Sequence, residues 1–113
     1  MTRVQIFRTR DGQYRSFTCK GHTEYTAEGA DIVCAGVSAI VINTINCLDD
    51  LLHIKMDVDF DEENGGDITC NLLEDPGEKG NLLIDCMIHG FDWIISQYGE
   101  GYLRYVIKEV DQC

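Results

Sequence analysis

The run 34–52 constrains the fold more than any other stretch of this chain. Its periodicity is helical, and Val37, Ile40, Val41, Ile42, Ile45, Leu48, Leu51 and Leu52 are spread around much of the circumference. A helix that is apolar on several sides must be covered on several sides. The remaining residues therefore have to supply a sheet, a second helix or both. A length of 113 residues predicts one domain over 1–113, with a modest core and no linker, repeat or low-complexity segment.

The flanking segments carry the pattern this demands. Residues 4–9 and 13–20 read as strands joined at Asp11-Gly12, a strong two-residue hairpin signal. Residues 56–60 alternate, which predicts Met56, Val58 and Phe60 facing in and Asp57 and Asp59 facing out. The stretch 62–66 turns the chain, and 67–72 returns as a second hairpin strand. Glu74-Asp75-Pro76-Gly77 holds the only proline and ends that unit. Residues 82–98 form an amphipathic helix with Ile84, Met87, Ile88, Phe91, Ile94 and Ile95 on one side, and Gly99 suits its C′ position. Residues 102–110 close the chain as an aromatic and β-branched strand. The order ββαββαβ predicts an α+β fold, with two helices packed on a mixed, largely antiparallel sheet.

Charge and cysteine usage narrow the class of function. A net charge of -11 argues against nucleic-acid binding, which needs a basic footprint; it permits a basic protein or peptide partner through steering. Six cysteines raise a disulfide framework, but the N-terminus reads directly as a strand rather than a signal segment. Cys19, Cys34, Cys47, Cys70 and Cys86 fall within predicted elements beside apolar neighbours, as buried free thiols do, and there is no CxxC. The expected setting is a reducing cytoplasm. No stretch reads as apolar and charge-free enough to span a membrane.

The residues that carry chemistry are His22 and Cys34. His22 ends the second predicted strand, and Cys34 opens the first predicted helix. The polar, glycine-containing stretch 23–30 lies between them. A helix N-terminus favours a thiolate, and a neighbouring imidazole turns such a thiol into a working nucleophile. Singly, Cys34 reads equally well as an inert core thiol and His22 as a structural strand end. Flanking one short loop, they form a candidate pair. Ser38 lies one turn after Cys34 on the same face, as a partner of the thiol or as a small residue against the sheet. Asp31 reads as a helix cap; aimed at Cys34 it would oppose thiolate formation. Cys19, His22 and Cys34 match none of the usual zinc spacings. Asp57, Asp59 and Asp61 lack the glycine and the final carboxylate of a calcium loop. His53 and His89 have no helpful neighbour and read as structural.

Gly21-His22, Gly29, Asp31 and the string Asp31-Ile32-Val33-Cys34-Ala35-Gly36-Val37-Ser38 resemble the bacterial ribosomal-processing cysteine protease family (Prp, or YsxB-like). The chain length, the ββαββαβ order and the Asn64-Gly65-Gly66 turn extend the resemblance over essentially the whole chain. It implies removal of a short N-terminal extension from a ribosomal large-subunit protein, with no cofactor. By the same resemblance His22 is the general base, Cys34 the nucleophile, Gly21 a loop hinge and Ser38 an active-site serine, in a homodimer. Departures are Thr23, where alanine is common, and the stretch 25–28. Amides around Cys34 and Ala35 are candidate oxyanion donors, and 23–30 is a candidate lid. A second reading is a non-enzymatic dimeric assembly factor that binds a ribosomal protein through the same groove. A third is a redox sensor in which Cys19 resolves an oxidised Cys34.

Overall fold

In the computed structural model the described residues are 1–21, 30–61 and 66–111, without the side chains of Ala30 and Asp31. Strands β1 (Thr2–Thr9) and β2 (Tyr14–Lys20) pair antiparallel, from Arg3 opposite Lys20 to Arg8 opposite Tyr14. Their turn is one residue longer than Asp11-Gly12 suggested. The Gly12 N–H donates to the Thr9 carbonyl at 3.0 Å, the Thr9 N–H to the Gln13 carbonyl at 2.8 Å, and Gly12 takes a φ of 94°. A tight turn closed by a left-handed glycine is the three-residue form of the hairpin, and the ladder takes up the extra residue between Phe7 and Arg8.

Strands β3 (Met56–Asp61) and β4 (Asp67–Leu72) form the second hairpin, and β5 (Leu103–Val110) runs parallel to β1. The strand order is β3-β4-β2-β1-β5, with β2 antiparallel to both β1 and β4. This is the mixed, largely antiparallel sheet expected. Val4 and Ile6, Phe17 and Cys19, and Ile68, Cys70 and Leu72 alternate along their strands and are all buried. One face of the sheet is therefore covered. Helix α1 (Ala30–Asp50) adds Val33, Val37, Val41 and Leu48, and helix α2 (Gly77–Tyr98) adds Ile84, Met87 and Phe91, to one continuous core. Each such side chain stabilises by about 1.5–3 kcal/mol when fully buried. The helices touch through glycines: a Cβ at Gly90 would come 3.1 Å from Ile40 Cδ1.

Polar ties set the position of α2. The Tyr14 hydroxyl donates to Asp85 at 2.5 Å, the Tyr14 N–H to Asn81 Oδ1 at 3.1 Å, and the Tyr105 hydroxyl to Asp92 at 2.6 Å. Helix α1 ends where His53 adopts a φ of 55°; its N–H donates to the Asp49 carbonyl at 3.0 Å and the Ile54 N–H to the Leu48 carbonyl at 3.1 Å, so a left-handed residue closes the helix stop.

Three expectations need correction. Both helices begin earlier than expected, α1 at Ala30 rather than 34 and α2 at Gly77 rather than 82: Val33 already belongs to the buried stripe of Val37 and Val41, Asp31 reads as a cap, and Gly77 and Gly80 carry no helical signal. Val58 and Phe60, expected inside, are each 46% exposed. They sit on the outermost strand, where they line an open apolar groove with Ile42, Ile45 and Ile68; alternation sets a face but does not provide its cover. Finally, Ile32–Asp50 is long and apolar enough, by length and composition, to cross a membrane. Its only charges, Asp49 and Asp50, stand at one end, and in this fold its Val33, Val37, Val41 and Leu48 are committed to the core.

Candidate active site

The site is built around the end of β2. The strand stops at Lys20, and Gly21 follows with a φ of 98°. This left-handed value favours glycine, and a Cβ here would collide with the carbonyl oxygen of Met1. The Gly21 N–H donates to Asp67 Oδ1 at 3.3 Å. Two residues earlier, Cys19 is fully buried, and its thiol is pushed up to about 12, chiefly by burial and further by the negative charges of Cys34 and Asp67. Helix α1, strand β4 and the end of β2 thus converge here, with Cys34 and Asp67 in electrostatic reach of one sulfur.

Along α1, Val33 and Val37 are buried, Cys34 and Ser38 half-buried, and Ala35 exposed. Cys34 and Ser38 therefore run along the rim of the buried stripe, one turn apart on one face. A nucleophile needs this combination of an anchored backbone and a reachable sulfur. Because α1 starts at Ala30, Cys34 lies one turn inside the helix rather than at its first residue. Two consequences follow. The dipole acts mainly on the first turn, so it helps this thiol less than the sequence suggested, and more of the activation falls to a base. The amides of Cys34 and Ala35 lie within the helical ladder, since unsatisfied donors belong to the first turn; they are not spare oxyanion donors. Asp31 likewise falls inside the first turn rather than ahead of it as a cap, and its side chain is outside the described residues.

His22 and residues 23–29, most of the candidate lid, lie outside the described residues. Of the predicted site residues, Gly21, Cys34, Ala35 and Ser38 are located as above. Asp67 and the Met1 carbonyl were missed, and Cys19 reads in the sequence only as a buried thiol, a zinc candidate or a redox partner of Cys34. No motif marks Asp67 or Met1; both become visible only once β2 is known to lie between β1 and β4. On the α2 side of the first turns of α1, Ile32, Val33, Gly36, Trp93 and Tyr98 line an apolar groove, with Ile32 and Trp93 largely exposed. None of the described cysteines, Cys19, Cys34, Cys47, Cys70 and Cys86, is in a disulfide. Cys19 and Cys70 are buried as expected, whereas Cys34 and Cys47 are half-buried and Cys86 is exposed.

The profile of the family described as Cysteine protease Prp matches residues 1–103. The chain is 31% identical over 104 residues to the Ribosomal processing cysteine protease Prp of Bacillus subtilis (strain 168), a match covering 89% of this chain and 93% of that protein. It is 27% identical over 101 residues to the protein of the same name from Staphylococcus aureus (strain Mu50), covering 89% and 94%. The fold is that of the essential ribosomal processing protease Prp from S. aureus crystallised with a substrate peptide, with a TM-score of 0.86, 24% identity, and coverage of 96% of this chain and 100% of the other. The same protease with a covalently linked product peptide superposes at a TM-score of 0.82 and 26% identity, covering 96% and 100%.

Proposed function

The chain belongs to the Prp cysteine protease family, and from that premise we propose that it is the endopeptidase that removes a short N-terminal extension from a ribosomal large-subunit protein, with Cys34 as nucleophile and His22 as general base. The observation that carries this reading is the half-buried Cys34 thiol on the rim of α1, in electrostatic reach of Cys19 near the end of β2, from which Gly21 leads to His22. The relatives are named as ribosomal processing proteases, and one was crystallised with a covalently linked product peptide.

In this mechanism His22 takes the Cys34 proton, and the thiolate attacks the scissile carbonyl to form a tetrahedral intermediate. The intermediate collapses to a thioester as His22 returns the proton to the departing amine. Water, deprotonated by the same imidazole, then attacks the thioester and releases the extension with a new carboxylate, and the thiol regains its proton. Ser38 supplies a hydroxyl on the face of the nucleophile, and Asp31 and Ala35 border it in the same turns. The exposed acidic residues of β3, Asp57 and Asp59, suit a basic ribosomal substrate. The chemistry needs no cofactor or metal. We place the protein in the cytoplasm, as a homodimer, without direct nucleic-acid or membrane contact.

The test is incubation with a ribosomal precursor carrying its N-terminal extension, followed by intact-mass analysis, with Cys34→Ala as control. Loss of one discrete N-terminal fragment, absent with Cys34→Ala, is the expected result. A precursor that stays intact yet co-purifies with both versions would replace the protease by the binding module.

A further inference from the structure

Gly21 is held from two sides, and one of them is a side chain. Antiparallel pairing between β2 and β4 runs from Ser16 opposite Asn71 to Cys19 opposite Ile68. Beyond that pair the backbone ladder gives out, and the Asp67 carboxylate supplies the next rung by accepting the Gly21 N–H at 3.3 Å. Asp67 opens β4 opposite Asp61 of β3 and is half-buried, so its carboxylate reaches over the end of β2. On the other side, the Met1 carbonyl oxygen fills the space where a Cβ at Gly21 would stand. The amide bond fixes the peptide plane entering Gly21, and the packing fixes its φ at 98°. Together they set the direction in which the chain leaves β2, and the next residue is His22.

We infer that Asp67 is a positioning residue of the protease site: by accepting the Gly21 N–H it fixes the backbone one residue before His22, the proposed base for Cys34. This rests on the assignment of Cys34 and His22 under the proposed function. Both Asp67 and Cys34 act electrostatically on the buried Cys19 sulfur. The Asp67 carboxylate has two properties that substitution separates. Its oxygen orders the backbone, while its charge disfavours a thiolate nearby. Asn keeps the oxygen acceptor and removes the charge; Ala removes both.

The experiment measures kcat/KM on the precursor and the rate of Cys34 alkylation by iodoacetamide, in wild type, Asp67→Ala and Asp67→Asn, each with and without His22→Ala. Asp67→Ala is expected to lower kcat/KM roughly ten- to a hundredfold, the scale of loss for a catalytic group displaced by about 1 Å. Asp67→Asn is expected to recover most of it. In wild type His22→Ala slows alkylation; in Asp67→Ala it slows it little further, because the backbone leading to the base is no longer held. Asp67→Ala processing at the wild-type rate, Asp67→Asn as impaired as Asp67→Ala, or an equal His22→Ala effect in both backgrounds would each overturn the inference. Circular dichroism monitors folding. Should Asp67→Ala not fold, Asp67→Asn decides alone: retained turnover supports the role, and lost turnover refutes it. If His22→Ala leaves wild-type alkylation unchanged, the Cys34–His22 pairing itself is what fails.

Discussion

Alanine at Gly12 and alanine at Gly21 impose the same backbone strain, once without a collision and once with one. The two glycines lie beyond opposite ends of β2 with nearly equal φ values, 94° and 98°. Forcing an L-residue into that region costs roughly 1–2 kcal/mol. At Gly12 no atom of the described residues lies within 4 Å of the added Cβ, so the backbone strain is the cost. At Gly21 the Cβ meets the Met1 carbonyl, and Met1 cannot swing aside freely because the next residue, Thr2, donates its N–H to the Tyr102 carbonyl at 3.0 Å. Overpacking of this kind adds about 1–3 kcal/mol, for a total of roughly 2–5 kcal/mol. With about 4 °C of melting temperature per kcal/mol in a domain of this size, Gly12→Ala should melt about 4–8 °C lower and Gly21→Ala about 8–20 °C lower. Thermal melts and precursor processing, measured below both transitions, separate the effects. Gly12→Ala should process normally, whereas Gly21→Ala should lose turnover roughly a hundredfold through displacement of the residue that follows it. Equal melting temperatures for the two variants would refute the collision. Normal turnover in folded Gly21→Ala would refute the idea that this glycine aims the catalytic chain.

Two further outcomes follow from the core. Burial holds the Cys19 and Cys70 thiols at about 12, against 9.0 when exposed. The native state therefore keeps two protons that the unfolded chain releases above its ordinary thiol range, and this stabilisation is full below pH 9 and lost as pH climbs toward 12. Urea melts should show a loss of about 1 kcal/mol per thiol between pH 9 and pH 10, and Cys70→Ala should remove half of that slope; an unchanged slope refutes the assignment. At the helix contact, Gly90→Ala gains helix propensity of about 1 kcal/mol but presses on Ile40 Cδ1. The substitution should be near neutral alone and stabilising by about 1 kcal/mol in an Ile40→Val background, where that atom is gone; strict additivity in the double-mutant cycle would count against the contact.

The extent to which fold and site were legible follows from what each depends on. The range of β4, 67–72, was read correctly because its period of two is bounded by a glycine turn and an acidic, proline-containing one. The start of α1 was not: Ala30 and Asp31 continue a polar stretch and Asp31 reads as a cap, although Val33 is already on the repeat of Val37 and Val41. Alternation placed Val58 and Phe60 on a face but could not say that β3 would be outermost, with little to cover it. In the site, His22 and Cys34 stood out by residue type and position. Asp67 and the Met1 carbonyl did not, since their role depends on β2 lying between β1 and β4, a strand order that no local pattern encodes. The sequence thus displays the groups that react more readily than the groups that hold them.

The neighbourhood of Cys19 and Cys34 also decides the redox reading. Two thiols in electrostatic reach of each other suggest a sensor in which one is oxidised and the other resolves it. The resolving step is attack by the second sulfur as thiolate on the sulfenic acid of the first, expelling water and forming a disulfide. Cys19 is badly prepared for it. With its thiol held at about 12, the thiolate fraction near neutrality is on the order of 10⁻⁵, against a few per cent for an ordinary cysteine. The greater intrinsic nucleophilicity of a more basic thiolate returns only part of this, leaving Cys19 on the order of fifty-fold slower than an unperturbed thiol. Treatment with one equivalent of hydrogen peroxide, followed by non-reducing intact-mass analysis and peptide mapping, should therefore show oxygen added at Cys34 with Cys19 still a thiol. A rapid loss of two hydrogens mapped to a Cys19–Cys34 crosslink would refute this and make the buried thiol a working partner of the nucleophile rather than part of its packing.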